Sequence, residues 1–350
     1  MIAFFGLLFH FSCKPQESLS VFVIFQPVSA ISLRTDGGLD DASVVLLVML
    51  FDYLWRWWII RSSDAVVEEV DVLRMDRSAG GGGDIIKLVL SHPTLRITEP
   101  GQYCFLRIGQ LGWLQWHPFS VASSPAFSEQ NDGRFTLLIR DLGSWTKELV
   151  ESGPSLLAKS AKVSCDGMYG HITVPLCMYR AVVITCGGIG CTPMFSALMH
   201  LAEQPAEQRP FVCFVWSVRE PELVRCFGSE LTKASQLGWD VRVHLTTTST
   251  SPTAASEEGE TAPLRRGDDA RDVDEESSLM LSCGYGGVLH GRPKLPRILG
   301  AVEKRLAAAR IHRCAVLTCG PSGLVGDTKA ACADTSGAVA FELHSEEFEW

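Results

Sequence analysis

Apolar positions follow two rhythms along this chain. Between Val66 and Val174 they form short runs broken by turns: VVEEVDVLRM, DIIKLVL, GQYCFLRI and RFTLLIRDL. Alternation over such lengths predicts half-buried strands, and several strands at this spacing predict a small barrel or sandwich. The glycine run Gly80–Gly83 predicts a hairpin loop between the first two. After Arg180 the rhythm changes. AVVIT predicts a buried strand, followed by a glycine-rich turn and a helix, FSALMHLAEQ. Then come a strand FVCFVWSV, a helix PELVRCFGSELTKAS and strands WDVRVHLTT, CAVLTCG and AVAFELHS. Strands alternating with helices predict βαβ units on a parallel sheet.

The expected order is therefore an N-terminal segment over 1–62, an antiparallel β-barrel over 63–176 and a parallel-sheet α/β domain over 177–350. Residues 246–278 interrupt the last of these. They are rich in Ser, Thr, Glu, Asp and Ala and lack the large apolar side chains that offset ordering entropy, so a disordered acidic surface insertion is expected there.

Two apolar stretches open the chain. Met1–Phe11 is short for a membrane span and lacks a basic leader. Ser43–Ile60, SVVLLVMLFDYLWRWWII, ends at Arg61. A span needs about 20 residues. Asp52 and Arg56 stand four apart on one helical face, where they neutralise each other. Tyr53, Trp55, Trp57 and Trp58 crowd the end beside Arg56 and Arg61, the pattern of a helix leaving a bilayer on the cytosolic side. A buried amphipathic helix of the soluble fold is the alternative.

The net charge of −9 excludes a phosphate-seeking nucleic-acid binder. Twelve cysteines are scattered without a C-x-x-C pair or a histidine cluster, which excludes a disulfide scaffold or a zinc site; no metal site is expected, and most thiols read as small core residues.

Five segments carry candidate chemistry. His117-Pro118-Phe119-Ser120-Val121-Ala122-Ser123-Ser124-Pro125 reads as a strand ending in a polar, proline-fixed turn. Its hydroxyls suit a flavin edge or a phosphate; a plain strand end is the alternative. Gly143-Ser144-Trp145-Thr146 opens a helix whose free N–H groups and dipole suit an anion, or is simply a capped helix. AVVITCGGIGCTPMFSAL is the strongest signal. Gly187, Gly188 and Gly190 permit a tight turn and close approach of a ligand. Thr192 stands at the expected N-cap and Pro193 at the first helical position. A strand, glycine turn and helix place a pyrophosphate on a helix N-terminus, although the spacing is not G-x-G-x-x-G. Cys319-Gly320-Pro321 follows a strand end and faces the crevice of an open sheet, or is structural. The C-terminal Phe348 and Trp350 suit stacking on a flavin or packing on the core.

In this order the segments resemble the ferric reductase and NADPH oxidase family, within the wider ferredoxin–NADP reductase-like superfamily, from about Val45 to Trp350. The resemblance implies an FAD-binding antiparallel β-barrel followed by an NAD(P)-binding parallel-sheet domain. It implies that His117, Pro118, Phe119 and Ser120 contact FAD, with Ser120 nearest the ring, and that Gly143, Ser144, Trp145 and Thr146 form the second FAD segment. Asp166-Gly167-Met168-Tyr169-Gly170 matches the family's DGPYG, with Met168 replacing proline and loosening a turn. Gly187, Gly188, Gly190 and Thr192 match the pyrophosphate-binding GGIGxTP. Arg219 and Arg292 match positions at the adenosine end, which favours NADPH over NADH. Cys319, Gly320 and Pro321 match the segment beside the nicotinamide, and Phe348 matches the aromatic that shields the flavin and moves aside for it. Ser120, Cys319 and Phe348 are thus the expected catalytic residues.

The implied activity is NAD(P)H-dependent flavin reduction. Electrons would pass to a membrane haem chain and then to a ferric chelate, or to oxygen in the superoxide-generating alternative, with the catalytic domains facing the cytosol. Only His10 precedes the junction near Arg56, so haem is expected only in a full-length member. A soluble diaphorase and a non-catalytic membrane-attached interaction module are the remaining readings.

Overall fold

The structure, a computed structural model, describes residues 8–10, 22–24, 47–51, 53–54, 64–75, 82–112, 115–156, 161–246, 287–335 and 337–346. The chain divides into two units, Met1–Ile59 with Phe348–Trp350, and Ile60–Glu347. In the first, β1 (Leu8–His10) pairs antiparallel with β2 (Phe22–Ile24), His10 opposite Phe22. Residues 47–51 and 53–54 are helical, and Leu47, Val48, Leu50 and Phe51 are exposed. The described apolar side chains of this stretch are therefore not buried in a soluble core. No described helix is long and apolar enough to cross a membrane. Asp52, Arg56 and the tryptophans lie outside the described residues.

The second unit begins with six antiparallel strands: β3 (Asp64–Leu73), β4 (Ile85–Ser91), β5 (Tyr103–Ile108), β6 (His117–Ser120), β7 (Arg134–Arg140) and β8 (Val163–Tyr169), in the order β6-β5-β8-β3-β4-β7. A bridge between Val121 and Leu137 joins the two ends of that order, closing a barrel and removing its open edges. Alternating inward residues, among them Ile86, Leu88, Leu90, Leu106, Ile108, Phe135, Leu137 and Ile139, fill the interior. Helix α1 (Pro125–Gln130) follows β6, and α2 (Ser144–Leu156) covers the barrel with Trp145, Leu149, Val150 and Leu156.

His117–Ser120 is a strand end, as its pattern suggests, and the chain then turns into α1 at Pro125. Pro118 is accommodated because β6 is laddered to β5 on one side, and its bridge to β7 begins only at Val121. The Asp166–Gly170 segment, expected as a turn, runs along β8 as far as Tyr169. Two steps on β5, Tyr103 to Phe105, oppose three on β8, Asp166 to Tyr169. That is a bulge. Gly167 adopts φ +73°, and a Cβ there would meet the Tyr169 ring.

A parallel sheet follows: β9 (Ala181–Gly187), β10 (Phe211–Val218), β11 (Asp240–Leu245), β12 (Val288–His290), β13 (Arg313–Cys319) and β14 (Ala340–Glu346), ordered β12-β11-β10-β9-β13-β14. Helices α3 (Cys191–Ala202), α4 (Pro221–Arg225) and α5 (Gly228–Gln236) cover one face. Helices α6 (Leu295–Ala308) and α7 (Ser322–Ala333) cover the other. The single helix expected over PELVRCFGSELTKAS is two. The chain breaks at Cys226–Phe227 so that the Phe227 ring can stack flat on Phe195, centroids 3.8 Å apart. Residues 247–278 of the expected insertion lie outside the described residues.

Candidate functional site

The strand order reverses between β9 and β13, so the turns after these strands diverge to opposite faces and leave a crevice at the carboxyl edge of the sheet. After β9 the chain makes a single 3-10 turn, Gly188–Gly190, and runs directly into α3. Gly188 has φ +52°, a left-handed conformation that costs a side-chain-bearing residue about 1–2 kcal/mol. This turn starts the helix two residues earlier than the Thr-Pro signal predicts. Gly190, not Thr192, is the N-cap, and the Thr192 hydroxyl instead donates to the Ile189 carbonyl at 2.8 Å. Pro193 then lies at the third helical position, where its missing N–H still breaks no helical bond.

The turn after β13 presses against this one. A Cβ on Gly320, at φ +151°, would lie 2.8 Å from the Gly187 nitrogen, and one on Gly187 would lie 2.7 Å from Pro321 Cδ. A Cβ on Gly190 would lie 3.1 Å from Cys319 Sγ. The Cys319 thiol is almost wholly covered, lodged beneath the glycine turn rather than lining an open wall. Burial pushes the neighbouring Cys186 and Cys191 thiols well above their ordinary value, and adjacent thiols add to the effect. Both are therefore protonated. Arg219 follows β10, and Arg292 follows β12; both are exposed on the same sheet edge as the glycine turns. Four strand steps separate β12 from β13, about 19 Å at ordinary strand spacing. That is a suitable length for an extended dinucleotide along the edge.

On the barrel, His117 and Trp145 stack with centroids 4.2 Å apart, and Phe119 lies 6.0 Å from Trp145. His117 Nε2 and Trp145 Nε1 are buried without a hydrogen-bond partner. Burial holds the His117 imidazole below its ordinary value of 6.5. Thr146 is occupied internally: its hydroxyl accepts from the Leu142 and Gly143 amides and donates to the Gly143 carbonyl. Its part is to lock the turn that presents the α2 N-terminus. Ser120 is half-buried at the end of β6. Phe348 and Trp350 lie outside the described residues.

The protonated imidazole is disfavoured by folding, so the sign of the pH effect follows. Above 6.5 the stability is complete; as pH falls below 6.5 through the lowered folded value, the unfolded chain takes up the proton first and stability drops. Melting of the flavin-free chain between pH 8 and 5 should show this loss. His117→Gln should flatten the profile, and an unchanged slope in that variant would show that another group is responsible.

Two residues escape sequence reading. Arg140, at the end of β7, bonds through Nη1 to Glu220 Oε1 at 2.9 Å, and Gly82 N donates to the same oxygen at 3.3 Å. Arg140 Nε and Nη2 are buried without a partner. A Cβ on Gly188 would lie 3.9 Å from Nη2, so the guanidinium stands at the glycine turn. Burial would raise the Glu220 carboxyl, but Arg140 and the Gly82 amide outweigh it and hold the group below its ordinary range. The only signal in the sequence was a charged residue closing the apolar run Leu137–Ile139, three positions before Gly143.

The barrel and sheet are also tied at Ser196. Its hydroxyl donates to the Ser123 carbonyl at 2.8 Å and accepts from the Gly101 amide at 3.3 Å. Ser124 Oγ donates to Glu203 Oε1 at 2.8 Å. The segment just past Ser120 is thereby fixed to α3, whose N-terminus is the glycine turn. The orphaned ring nitrogens beside α2 and the glycine cradle between β9 and β13 fit two cofactors, a flavin on the barrel and a dinucleotide on the sheet.

Comparison with known proteins agrees. Residues 70–173 match the FAD-binding domain model, and residues 179–333 match the ferric reductase NAD binding domain model. Ferric reduction oxidase 7 of Arabidopsis thaliana is 30% identical over 154 residues, covering 39% of this chain and 20% of that protein. NADPH oxidase 1 of Mus musculus is 26% identical over 197 residues, covering 52% and 32%. Respiratory burst oxidase homolog protein B of Solanum tuberosum is 25% identical over 315 residues, covering 76% and 34%. The chain thus spans a fifth to a third of the length of these relatives. Among solved structures, a cytochrome P450 reductase from Amycolatopsis superposes with a TM-score of 0.50 at 19% identity, covering 81% of this chain and 70% of that one. A mutant ferredoxin–NADP+ reductase from Plasmodium falciparum does so with a TM-score of 0.50 at 10% identity, covering 81% and 95%. The fold is ferredoxin reductase-like, and the chain carries an FAD-binding domain followed by a ferric reductase NAD binding domain, similar to those of ferric reduction oxidases and NADPH oxidases.

Proposed function

We propose that this chain performs NADPH-dependent flavin reduction as the electron-input half of a ferric-chelate reductase-like membrane enzyme. The observation that carries the reading is the pair of touching glycine turns at the sheet's switch point, tied through Ser196 and Arg140 to the flavin-side strands. When bound, the nicotinamide supplies a hydride and the flavin accepts it and passes electrons on singly. The chain's own residues bind, orient and shield. His117, Pro118, Phe119 and Trp145 form the apolar and aromatic wall of the flavin groove. Ser120 offers a hydroxyl at its edge. Gly143 and Ser144 open the α2 N-terminus to a phosphate. Gly187, Gly188 and Gly190 bring the backbone against a pyrophosphate, with the spare nitrogens of Arg140 as counter-charge. Arg219 and Arg292 stand at the adenosine end, where guanidinium forks favour a 2′-phosphate and hence NADPH over NADH. Cys319, covered, sets the depth of the nicotinamide site beneath Gly190. Fixing donor and acceptor rings in one geometry is the catalytic contribution expected of such a scaffold.

Handing electrons to a membrane haem chain and on to a ferric chelate, with the flavin side facing the cytosol, is supported by the ferric reduction oxidases among the relatives. The NADPH oxidases among them support oxygen as the alternative acceptor. The exposed apolar helical residues Leu47–Phe51 support attachment to a membrane.

The test is anaerobic stopped-flow of the purified, FAD-loaded chain. NADPH should bleach the flavin, and Ser120→Ala and Cys319→Ala should each slow bleaching about ten-fold or more. A folded chain that takes up no FAD, or whose colour survives NADPH and NADH alike, would overturn the reading.

A further inference from the structure

Cys177 stands apart from the other thiols. Among the ten described cysteines it alone is exposed. It lies in the short turn Leu176–Met178 that leads from barrel to sheet. Its Sγ is 3.8 Å from Nε2 of His200, in the last turn of α3. Gln204 Nε2 approaches the same ring nitrogen at 3.5 Å and donates to the His200 carbonyl at 3.2 Å. With an amide donor on one side and a thiol on the other, Nε2 is the acceptor and the ring proton belongs on Nδ1. Burial lowers the His200 imidazole below its ordinary value, against the opposing pull of Glu203 and Glu99. The ring is therefore neutral near pH 7 and free to take the thiol's proton.

The thiol also opens on a charged hollow. A cavity of about 540 Å³ is lined by Cys177 together with Arg180, Arg209 and Glu207. A neighbouring cavity of about 250 Å³ shares Met178, Tyr179 and Arg180 and adds Arg310 and Arg313. Glu342 neutralises Arg313 through bonds of 2.7 and 3.1 Å, and Glu207 offsets one more charge. The hollow remains cationic in a chain of net charge −9. Arg180, Phe211 and Arg313 stand at the amino ends of β9, β10 and β13, so this edge is opposite the candidate cleft. An exposed thiol with a base in reach, inside a locally positive hollow, favours reaction with anionic partners.

We propose that Cys177 is a thiol–disulfide exchange site whose substrate is a carboxylate-bearing disulfide of the oxidised-glutathione class. Cys177 gives its proton to His200 Nε2, and Sγ attacks one sulfur of the incoming disulfide. A new S–S bond forms as the old one breaks, and the departing thiolate takes up the proton. Cys177 is oxidised to a mixed disulfide while half of the incoming disulfide is reduced to free thiol, so no other reactant is consumed.

The experiment treats the full chain with oxidised glutathione or with cystamine, a cationic disulfide, and follows adducts by intact mass and peptide mapping. One adduct should map to Cys177, and the anionic reagent should react about ten-fold faster at low salt, the gap closing as salt rises. Arg180→Glu with Arg209→Glu should reverse the preference. His200→Gln should slow exchange near neutral pH, with the deficit shrinking as alkaline pH ionises the thiol directly. Cys177→Ser should lose the adduct and keep the flavin spectrum, since Cys177 is remote from the cleft. Mapping of the adduct to any other cysteine, or equal rates for the two disulfides in the unmodified protein, would overturn the proposal.

Discussion

Replacing Gly320 with alanine is expected to destabilise the protein by about 3 kcal/mol and to lower the rate of flavin reduction by NADPH about 100-fold. Two effects add. At φ +151° the backbone suits glycine, and an added Cβ would lie 2.8 Å from the Gly187 nitrogen and 3.0 Å from its Cα. The colliding atoms are backbone at the end of a buried strand, so they yield only by moving the turn after β9, an overpacking cost of about 1–3 kcal/mol on top of the strain. Displacement of a positioning turn by about 1 Å can itself cost about two orders of magnitude in rate. Gly323→Ala is the matched control. Gly323 lies in α7 with nothing within 4 Å of an added Cβ, and the substitution should stabilise by about 0.5–1 kcal/mol through helix propensity. Chemical denaturation and stopped-flow on both variants test the pair. Wild-type rates in Gly320→Ala would show that the two turns do not form one site.

The second large effect concerns Arg140 and Glu220. Their side chains are 13% and 5% exposed, and they join the barrel to the parallel sheet. Arg140→Ala should cost about 3 kcal/mol, because a buried carboxylate loses its guanidinium and keeps only backbone amides, those of Gly82 and of Glu220 itself. Glu220→Ala should cost a similar amount for the reciprocal reason. Apolar replacement of both, Arg140→Met with Glu220→Leu, should recover all but about 1 kcal/mol, since the desolvation penalty disappears with the charges. Stability and NADPH affinity should then separate. The double variant should stay folded while binding NADPH as poorly as Arg140→Ala, because the guanidinium beside Gly188 is gone from both. Strict additivity of the two single variants in a denaturation cycle would show that the ion pair contributes nothing beyond its separate parts.

These expectations divide by how far apart their causes lie in the chain. The switch from alternating to βαβ patterning near Arg180 is local, and so are the strand, glycine turn and helix around Gly187–Gly190. Periodicity and glycine permissiveness are properties of short windows, and both elements were legible as a result. Thr192 shows where local rules stop. Ser/Thr capping statistics placed it at the N-cap, but the Gly188 turn starts the helix at Cys191 and turns that hydroxyl back onto Ile189. The HPFS segment was legible as a strand end, but its pairing with Tyr103–Leu106 was not, because that partner is set by sheet register rather than by a local window. PELVRCFGSELTKAS broke in two because Phe227 gains more by stacking on Phe195 than by continuing a helix.

What the sequence determined by itself is the order of elements, the boundary between the two patterns and the residues able to form close turns, since each depends on neighbours within a few positions. Which of these residues meet was decided by tertiary structure alone. Gly187 and Gly320 stand 133 positions apart in the chain and touch because β9 and β13 are adjacent and parallel. Arg140 and Glu220 pair across 80 positions. Cys177 finds His200 because a turn and a helix end converge. Such contacts follow from sheet register and from the packing of whole elements, and no window of sequence contains both partners.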